Sequence, residues 1–276
     1  MNFLEKVIKK IRAINSRASN IRYELAAKGI TISDNERKLL GLRNINQGKR
    51  CFIIGNGPSL NQLDLTLLKN EYTFGVNAIY TNYEKMGFYP TYYVVEDFLV
   101  AEDRAAEINA YNKSDIKFFG NYLRYCLESD ESTILLNVIL DYSDYENFPY
   151  FSQNLLQRIW VGGTVSYLCM QIAFYMGFSE VYLVGFDHNY KIPEDVQKQK
   201  NHVLVSTSQD VNHFNEAYFG KGKRWHDPML HRMDKAYRRA RMVYEANDRQ
   251  IFNATEGGKL EVFERVNYAS LFENKK

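Results

Sequence analysis

The stretch Cys51-Phe52-Ile53-Ile54-Gly55-Asn56-Gly57-Pro58-Ser59 is a short apolar run that stops at a glycine-rich turn. An apolar run of this length bounded by Gly reads as a buried strand. The two glycines let the backbone turn sharply and come close to a ligand, and Pro58 stiffens the turn. Ser59 is placed to cap a following helix, with Gln62 three residues on as a capping-box partner. A helix start of that kind leaves N–H groups free, and with the helix dipole these suit a phosphate. The same spacing also serves a tight strand-to-helix turn that holds no ligand, and it matches neither the Walker pattern nor the full dinucleotide fingerprint.

Outward from this turn, strands and helices alternate. Leu60 to Leu68 is amphipathic, Tyr72 to Val76 is a strand ending at Asn77, and Thr91 to Val95 is a strand ending at Glu96-Asp97. Ile116 to Phe119 and Thr133 to Val138 are further strands. Gly162-Gly163-Thr164 opens a buried helix reaching Met176, and Val181 to Val184 is a strand that leaves through Gly185-Phe186-Asp187-His188-Asn189. Asp227 to Ala246 is a long basic helix, followed by a strand at Gln250 to Phe252. This order predicts an α/β fold: a Rossmann-like, mostly parallel sheet with helices on both faces, right-handed crossovers and ligands at the carboxyl ends of the strands.

Two segments depart from the alternation. Residues 1–48 form an N-terminal extension in which Leu4, Val7, Ile8, Ile11, Ile14 and Ile21 share one face of an amphipathic helix from Phe3 to Ala27, ahead of a helical or irregular connector. Residues 1–50 carry 12 Lys plus Arg against 4 Asp plus Glu, so this helix can pack on the domain, mediate a homo-oligomer, or make a peripheral contact with an anionic membrane surface. Residues 49–276 form the Rossmann-like domain. Within it, residues 189–225 lack periodicity and are rich in Lys, Asn, Gln and His, as a lid-like insertion would be.

Composition excludes some classes of protein. With 45% hydrophobic and 25% charged residues, the 276-residue chain is no globally disordered polypeptide. Net charge is only +2, and past residue 50 acids outnumber bases 29 to 23, so no nucleic-acid footprint is expected. The 21 Tyr and 17 Phe suit stacking on sugars or nucleosides, and equally ordinary packing. Cys51, Cys126 and Cys169 are scattered in apolar runs and read as buried, reduced thiols. No apolar stretch approaches the roughly 18 residues of a membrane span, and Met1 to Lys6 lack a signal peptide's apolar core, so a cytoplasmic location is expected, with the inner membrane face as a peripheral variant.

The candidate chemistry lies at the strand ends. Asn77 and the pair Glu96-Asp97 face one crevice, where Asn77 offers donor and acceptor to a base or ribose. The acids can bind a ribose, a sugar hydroxyl, or Mg²⁺ on a phosphate. Asp97 equally suits capping of the next helix. Thr164 is a cap, a ligand contact, or both, and Asp187 and His188 are further donor-site candidates. His226 is the sharpest catalytic candidate, since it lies between the insertion and a helix start, and imidazole can take a proton from a hydroxyl near neutral pH. Its neighbours Lys223 and Arg224 suit a phosphate leaving group. Otherwise His226 packs beside Trp225, with Asp227 as the helix cap. His213 and His231 lack a third ligand for zinc.

From about Lys49 to Asn253 these segments resemble the superfamily that joins bacterial sialyltransferases of glycosyltransferase family 42, the motility-associated factor (Maf) flagellin glycosyltransferases, and 6-hydroxymethylpterin pyrophosphokinases. The turn from Gly55 to Leu60 is shared by all three. Asn77, Thr164-Val165-Ser166-Tyr167, Glu180 to Asp187 and His226 follow in the order of the sialyltransferases. That resemblance implies donor contacts at Gly55, Asn56, Gly57, Ser59, Asn77, Glu96, Thr164, Asp187, His188, Lys223 and Arg224, with His226 as general base. It implies inverting transfer of a nonulosonic acid from a CMP donor to a glycan or protein hydroxyl, with no obligatory cofactor. The chain departs from the pattern where Gly162 replaces an Arg, where only Tyr190 stands for the leaving-group tyrosines, and where Glu96 replaces an Asn. The pyrophosphokinase alternative would use Glu96 and Asp97 for Mg²⁺ on ATP, and a non-catalytic envelope-assembly scaffold is a third alternative.

Overall fold

A computed structural model describes residues 18–140, 149–194 and 196–273. Most of the amphipathic N-terminal stretch, including Leu4 to Ile14, lies outside the described residues. Residues 18–27 are helical (α1), with Ile21 on the exposed side. The connector contains a second helix, α2 (Asp34–Gly41), started by a capping box between Ser33 and Glu36.

The domain then runs β1 (Arg50–Ile54), β2 (Tyr72–Val76), α3 (Tyr83–Met86), β3 (Tyr92–Val95), α4 (Phe98–Asp103), α5 (Ala105–Ala110), β4 (Ile116–Gly120), β5 (Thr133–Leu136), β6 (Val138–Ile139), β7 (Ile159–Trp160), α6 (Val165–Tyr175) and β8 (Glu180–Val184). It continues with β9 (Gln197–Lys198), β10 (Val203–Val205), β11 (Arg224–His226), α7 (Leu230–Glu245), β12 (Gln250–Asn253) and β13 (Glu264–Arg265). Eight strands form one sheet in the order β13-β12-β8-β1-β2-β3-β4-β5. Every pairing in it is parallel.

Strand residues alternate between two cores. Cys51, Ile53, Phe74, Val94 and Leu183 face α6 and α7, whereas Phe52, Ile54, Tyr93, Val95 and Val184 face the opposite layer. Burial on both faces explains why the strands read as unbroken apolar runs. Helix α6 is buried along its whole length and crosses behind β1, β2 and β3.

Several expectations need correction. The amphipathic Leu60 to Leu68 stretch is no helix but two short 3₁₀ turns, Pro58–Gln62 and Leu65–Leu68, the second started by the Asp64 side chain. Ser59 does not cap the first of these, for Gly57 holds the cap position without a side-chain bond. Asp227 does not cap α7, whose cap residue is Met229. All three cysteines are free, and Cys126 is only half-buried. Residues 189–225 carry structure: β9, β10 and β11 form an antiparallel sheet, and Val196, Leu204 and Trp225 make a small core beneath it. Among the described residues, no helix is long and apolar enough to cross a membrane.

Candidate functional site

The strand order reverses direction between β1 and β8, which pair with Ile54 opposite Val184. In open parallel sheets such a switch point opens a crevice at the carboxyl ends. Here the crevice is entered by Gly55 after β1 and Gly185 after β8. A Cβ on Gly55 would meet the Gly185 carbonyl oxygen at 2.5 Å, so only glycine lets the two exits lie side by side.

The Asp187 carboxylate fills the turn that the sequence left open for a phosphate. It accepts the Ser59 N–H at 3.2 Å and the Ser59 hydroxyl at 2.7 Å. Gly57 is needed for the same reason, since a Cβ there would lie 1.8 Å from Asp187 Oδ2. The N–H group expected to hold a ligand is thus satisfied by the chain's own anion.

Above these turns lies a cavity of about 500 Å³. Gly55, Asn56, Gly57, Asn77, Glu96, Asp97, Thr164, Asp187, His188 and His226 all contribute to its wall. Ser59 is buried behind it. Lys223 and Arg224 do not line it, contrary to the sequence expectation. The Lys223 ammonium donates to the Asp103 carbonyl at 3.1 Å, and Arg224 pairs with Asp103 at 2.5 Å and Glu102 at 2.8 Å. These bonds fasten β11 to α4.

That fastening positions His226, whose Nδ1 lies 3.2 Å from Asp97 Oδ2. Asp97 also caps α4, its Oδ1 accepting the Leu99 N–H at 2.8 Å, so the helix start fixes the carboxylate and the carboxylate fixes the ring. The Phe98 ring packs edge-on against the imidazole at 4.8 Å between centroids. Nε2 has no protein partner among the described residues and is the ring nitrogen left for a ligand. Thr164 caps α6 by accepting the Ser166 N–H, and His188, held at φ +50°, contacts Asp234 through Nε2 at 3.0 Å.

Asn56 and Asn77 share one feature: their side-chain oxygens are buried and, among the described residues, have no hydrogen-bond partner. Asn56 spends its amide N–H groups on the Val76 carbonyl and, at 3.0 Å, the Tyr218 hydroxyl. Both residues line the cavity, and a ligand with hydroxyl or amino donors would satisfy these oxygens once the side chains turn outward.

Glu96 is 9% exposed, and burial pushes its carboxyl well above the usual range; the neighbouring Asp97 adds to this, while a Tyr122 hydrogen bond opposes it. It is therefore held toward its neutral form. Asp97 already spends its carboxylate on His226 and the α4 N–H groups, so a divalent cation held by Glu96 and Asp97 would have to compete with those bonds. Among the described residues no other group of His, Cys, Asp or Glu is arranged to hold a metal.

Among the lining residues to which sequence reading gave no ligand contact are Tyr218, Arg232 and His213, the last weighed there only for zinc. Tyr218 reaches in from the 189–225 segment, and Arg232 lies on the first turn of α7. His213 bonds Asp210 three positions earlier, a spacing visible in the sequence but without periodicity to signal it.

The family model described as "6-hydroxymethylpterin diphosphokinase MptE-like" matches residues 30–193, more than half of the chain. The chain belongs to this family. The matched stretch includes every strand-end residue from Gly55 to His188 but ends before His213 and His226. No curated protein matches the chain in sequence. Among solved structures, the Maf glycosyltransferase from Magnetospirillum magneticum AMB-1 is similar over 83% of this chain at 16% identity and a TM-score of 0.52, a likeness of fold. The chain spans 35% of that protein's length. The sialyltransferase CstII from Campylobacter jejuni, solved with the substrate analogue cytidine-5'-monophosphate, is similar over 80% of this chain and 85% of its own at 18% identity, with a TM-score of 0.43.

Proposed function

We propose that this member of the family is a glycosyltransferase that moves a sugar from a nucleotide donor to a hydroxyl of a glycan or protein, with His226 as general base. The observation that carries the proposal is the His226–Asp97 pair in the cavity wall. A carboxylate on Nδ1 fixes the tautomer with its lone pair on Nε2, the form that accepts a proton from an attacking hydroxyl. The unpaired oxygens of Asn56 and Asn77 suit the hydroxyl and amino donors of a nucleoside. The family resemblance at Asn56, Asn77 and His226 favours a CMP-activated nonulosonic acid transferred with inversion, without an obligatory metal. Burial holds Glu96 toward its neutral form, which lessens the repulsion that a carboxylate would exert on such an anionic donor.

The family's own description favours a second reading, diphosphate transfer from ATP to a pterin alcohol. Mg²⁺ would supply charge neutralisation on the phosphates in that case, and Glu96 and Asp97 are the acids it would need. The bonds that tie Asp97 to His226 and to the start of α4 speak against it.

A thermal-shift panel of CMP, CDP, UDP, GDP and ATP, each with and without Mg²⁺, separates the readings. Stabilisation by CMP irrespective of Mg²⁺ supports the transferase. A response to ATP with Mg²⁺ alone replaces it with the kinase, and no response to any nucleotide favours a scaffold.

A further inference from the structure

The cavity wall that carries His226 also carries a second imidazole–carboxylate pair. His213 Nδ1 lies 2.7 Å from Asp210 Oδ2. Asp210 is fixed more firmly than Asp97: its side chain is 3% exposed, and it also accepts the N–H groups of Asn212 at 2.8 Å and Phe219 at 2.9 Å. Burial pushes its carboxyl up, but the bond and charge of His213 with the two N–H groups outweigh this, so Asp210 stays ionised. The His213 ring lies flat on Tyr218, 4.2 Å between centroids and 5° between planes, with Phe219 edge-on at 5.1 Å. The Tyr218 hydroxyl in turn meets the Asn56 amide at 3.0 Å.

A histidine that is merely packed spends both ring nitrogens on protein or lies inside the core. His213 lines the cavity, and its Nε2 has no protein partner among the described residues. Stacking on Tyr218 and the bond to Asp210 leave the ring a single orientation. With Asp210 on Nδ1, Nε2 is the ring atom that meets a ligand; against a phosphate the ring carries an N–H on each nitrogen, donating one to Asp210 and one to the phosphate.

We propose that His213 is a phosphate-binding residue of this site, donating from Nε2 to the phosphate of the departing nucleoside monophosphate. This rests on the transferase reading above. In that step the bond between the anomeric carbon and the phosphate oxygen breaks, and its electron pair stays on the phosphate. The acceptor hydroxyl forms the new bond to carbon and gives its proton to His226. His213 steadies the growing phosphate charge without losing its own proton. His226 and His213 thus divide the work between attack and departure.

The test compares CMP with cytidine by calorimetry on the wild-type protein, His213→Gln and Asp210→Asn. His213→Gln is expected to weaken CMP about tenfold, the size of one charge-assisted hydrogen bond, and to leave cytidine unchanged. Asp210→Asn, which keeps the ring but not its charged partner, should weaken CMP by a smaller factor, again without touching cytidine. Equal weakening of CMP and cytidine in both variants, or no weakening in either, overturns the assignment while leaving the transferase reading standing. If the wild-type protein binds neither ligand, both fall together. Should His213→Gln not fold, Asp210→Asn alone decides by the same comparison.

Discussion

Asp97 holds the start of α4 with one carboxylate oxygen and His226 with the other, although the two residues are 129 positions apart in the chain. The carboxylate cannot shift toward the ring without uncapping the helix. Two substitutions separate the roles. Asp97→Asn keeps a side-chain oxygen for the cap, so its melting temperature should stay near wild type, whereas Asp97→Ala loses about 1 kcal/mol of stability. Both should lower transfer, because neither offers a charged partner to Nδ1. If Asp97→Asn transfers sugar at the wild-type rate, the carboxylate serves only as a cap.

His226→Ala should reduce transfer by about a hundredfold to ten-thousandfold, the usual cost of losing a general base. Nucleotide binding should change little, since the donor contacts argued from Asn56 and Asn77 remain. The measurements are initial rates and a binding isotherm on one preparation. Unchanged rates remove His226 from the mechanism.

How much of this was legible in the sequence follows from what each feature depends on. The parallel sheet was legible because strands such as Cys51 to Ile54 and Val181 to Val184 are buried on both faces, and a run of apolar residues ending at Gly needs no long-range information. His226 stood out through its flanks. Asp187 filling the Ser59 turn was not legible, because it depends on the approach of two strand exits 128 positions apart. Lys223 and Arg224 were misassigned for the same reason: beside His226 in sequence, they turn away to Asp103 and Glu102 on α4. The strands of the 189–225 segment escaped notice because Gln197–Lys198 is polar and exposed and carries no alternation.

Glu96 predicts a pH effect on stability. Its folded-state carboxyl is raised by burial above the unfolded value, so the folded chain binds the proton more tightly. The stability it contributes is complete below the ordinary carboxylate range and declines as pH rises from there toward the raised folded value. Glu96→Gln keeps the shape of the neutral acid and cannot ionise. Urea denaturation at pH 5 and pH 8 should show the variant gaining on wild type at the higher pH. An equal difference at both values means that Glu96 is ionised in the folded protein.

Gly57 and Asp187 form a coupled pair. The backbone at Gly57 has φ −68°, which alanine adopts freely, so Gly57→Ala tests space alone. Its Cβ would fall 1.8 Å from Asp187 Oδ2, and displacing that carboxylate should cost about 1–3 kcal/mol. Asp187→Ala costs a similar amount by another route, because it strips the buried Ser59 N–H and hydroxyl of their acceptor. In the double variant the new methyl enters space that the carboxylate has left. Recovery is partial, since the Gly185 carbonyl stays 2.7 Å from the added carbon. The two changes together should therefore destabilise less than their sum, with a coupling of about 0.5–3 kcal/mol in a denaturation cycle. Strict additivity would show that Asp187 does not occupy the turn in solution, and the turn would then be open to a ligand's phosphate after all.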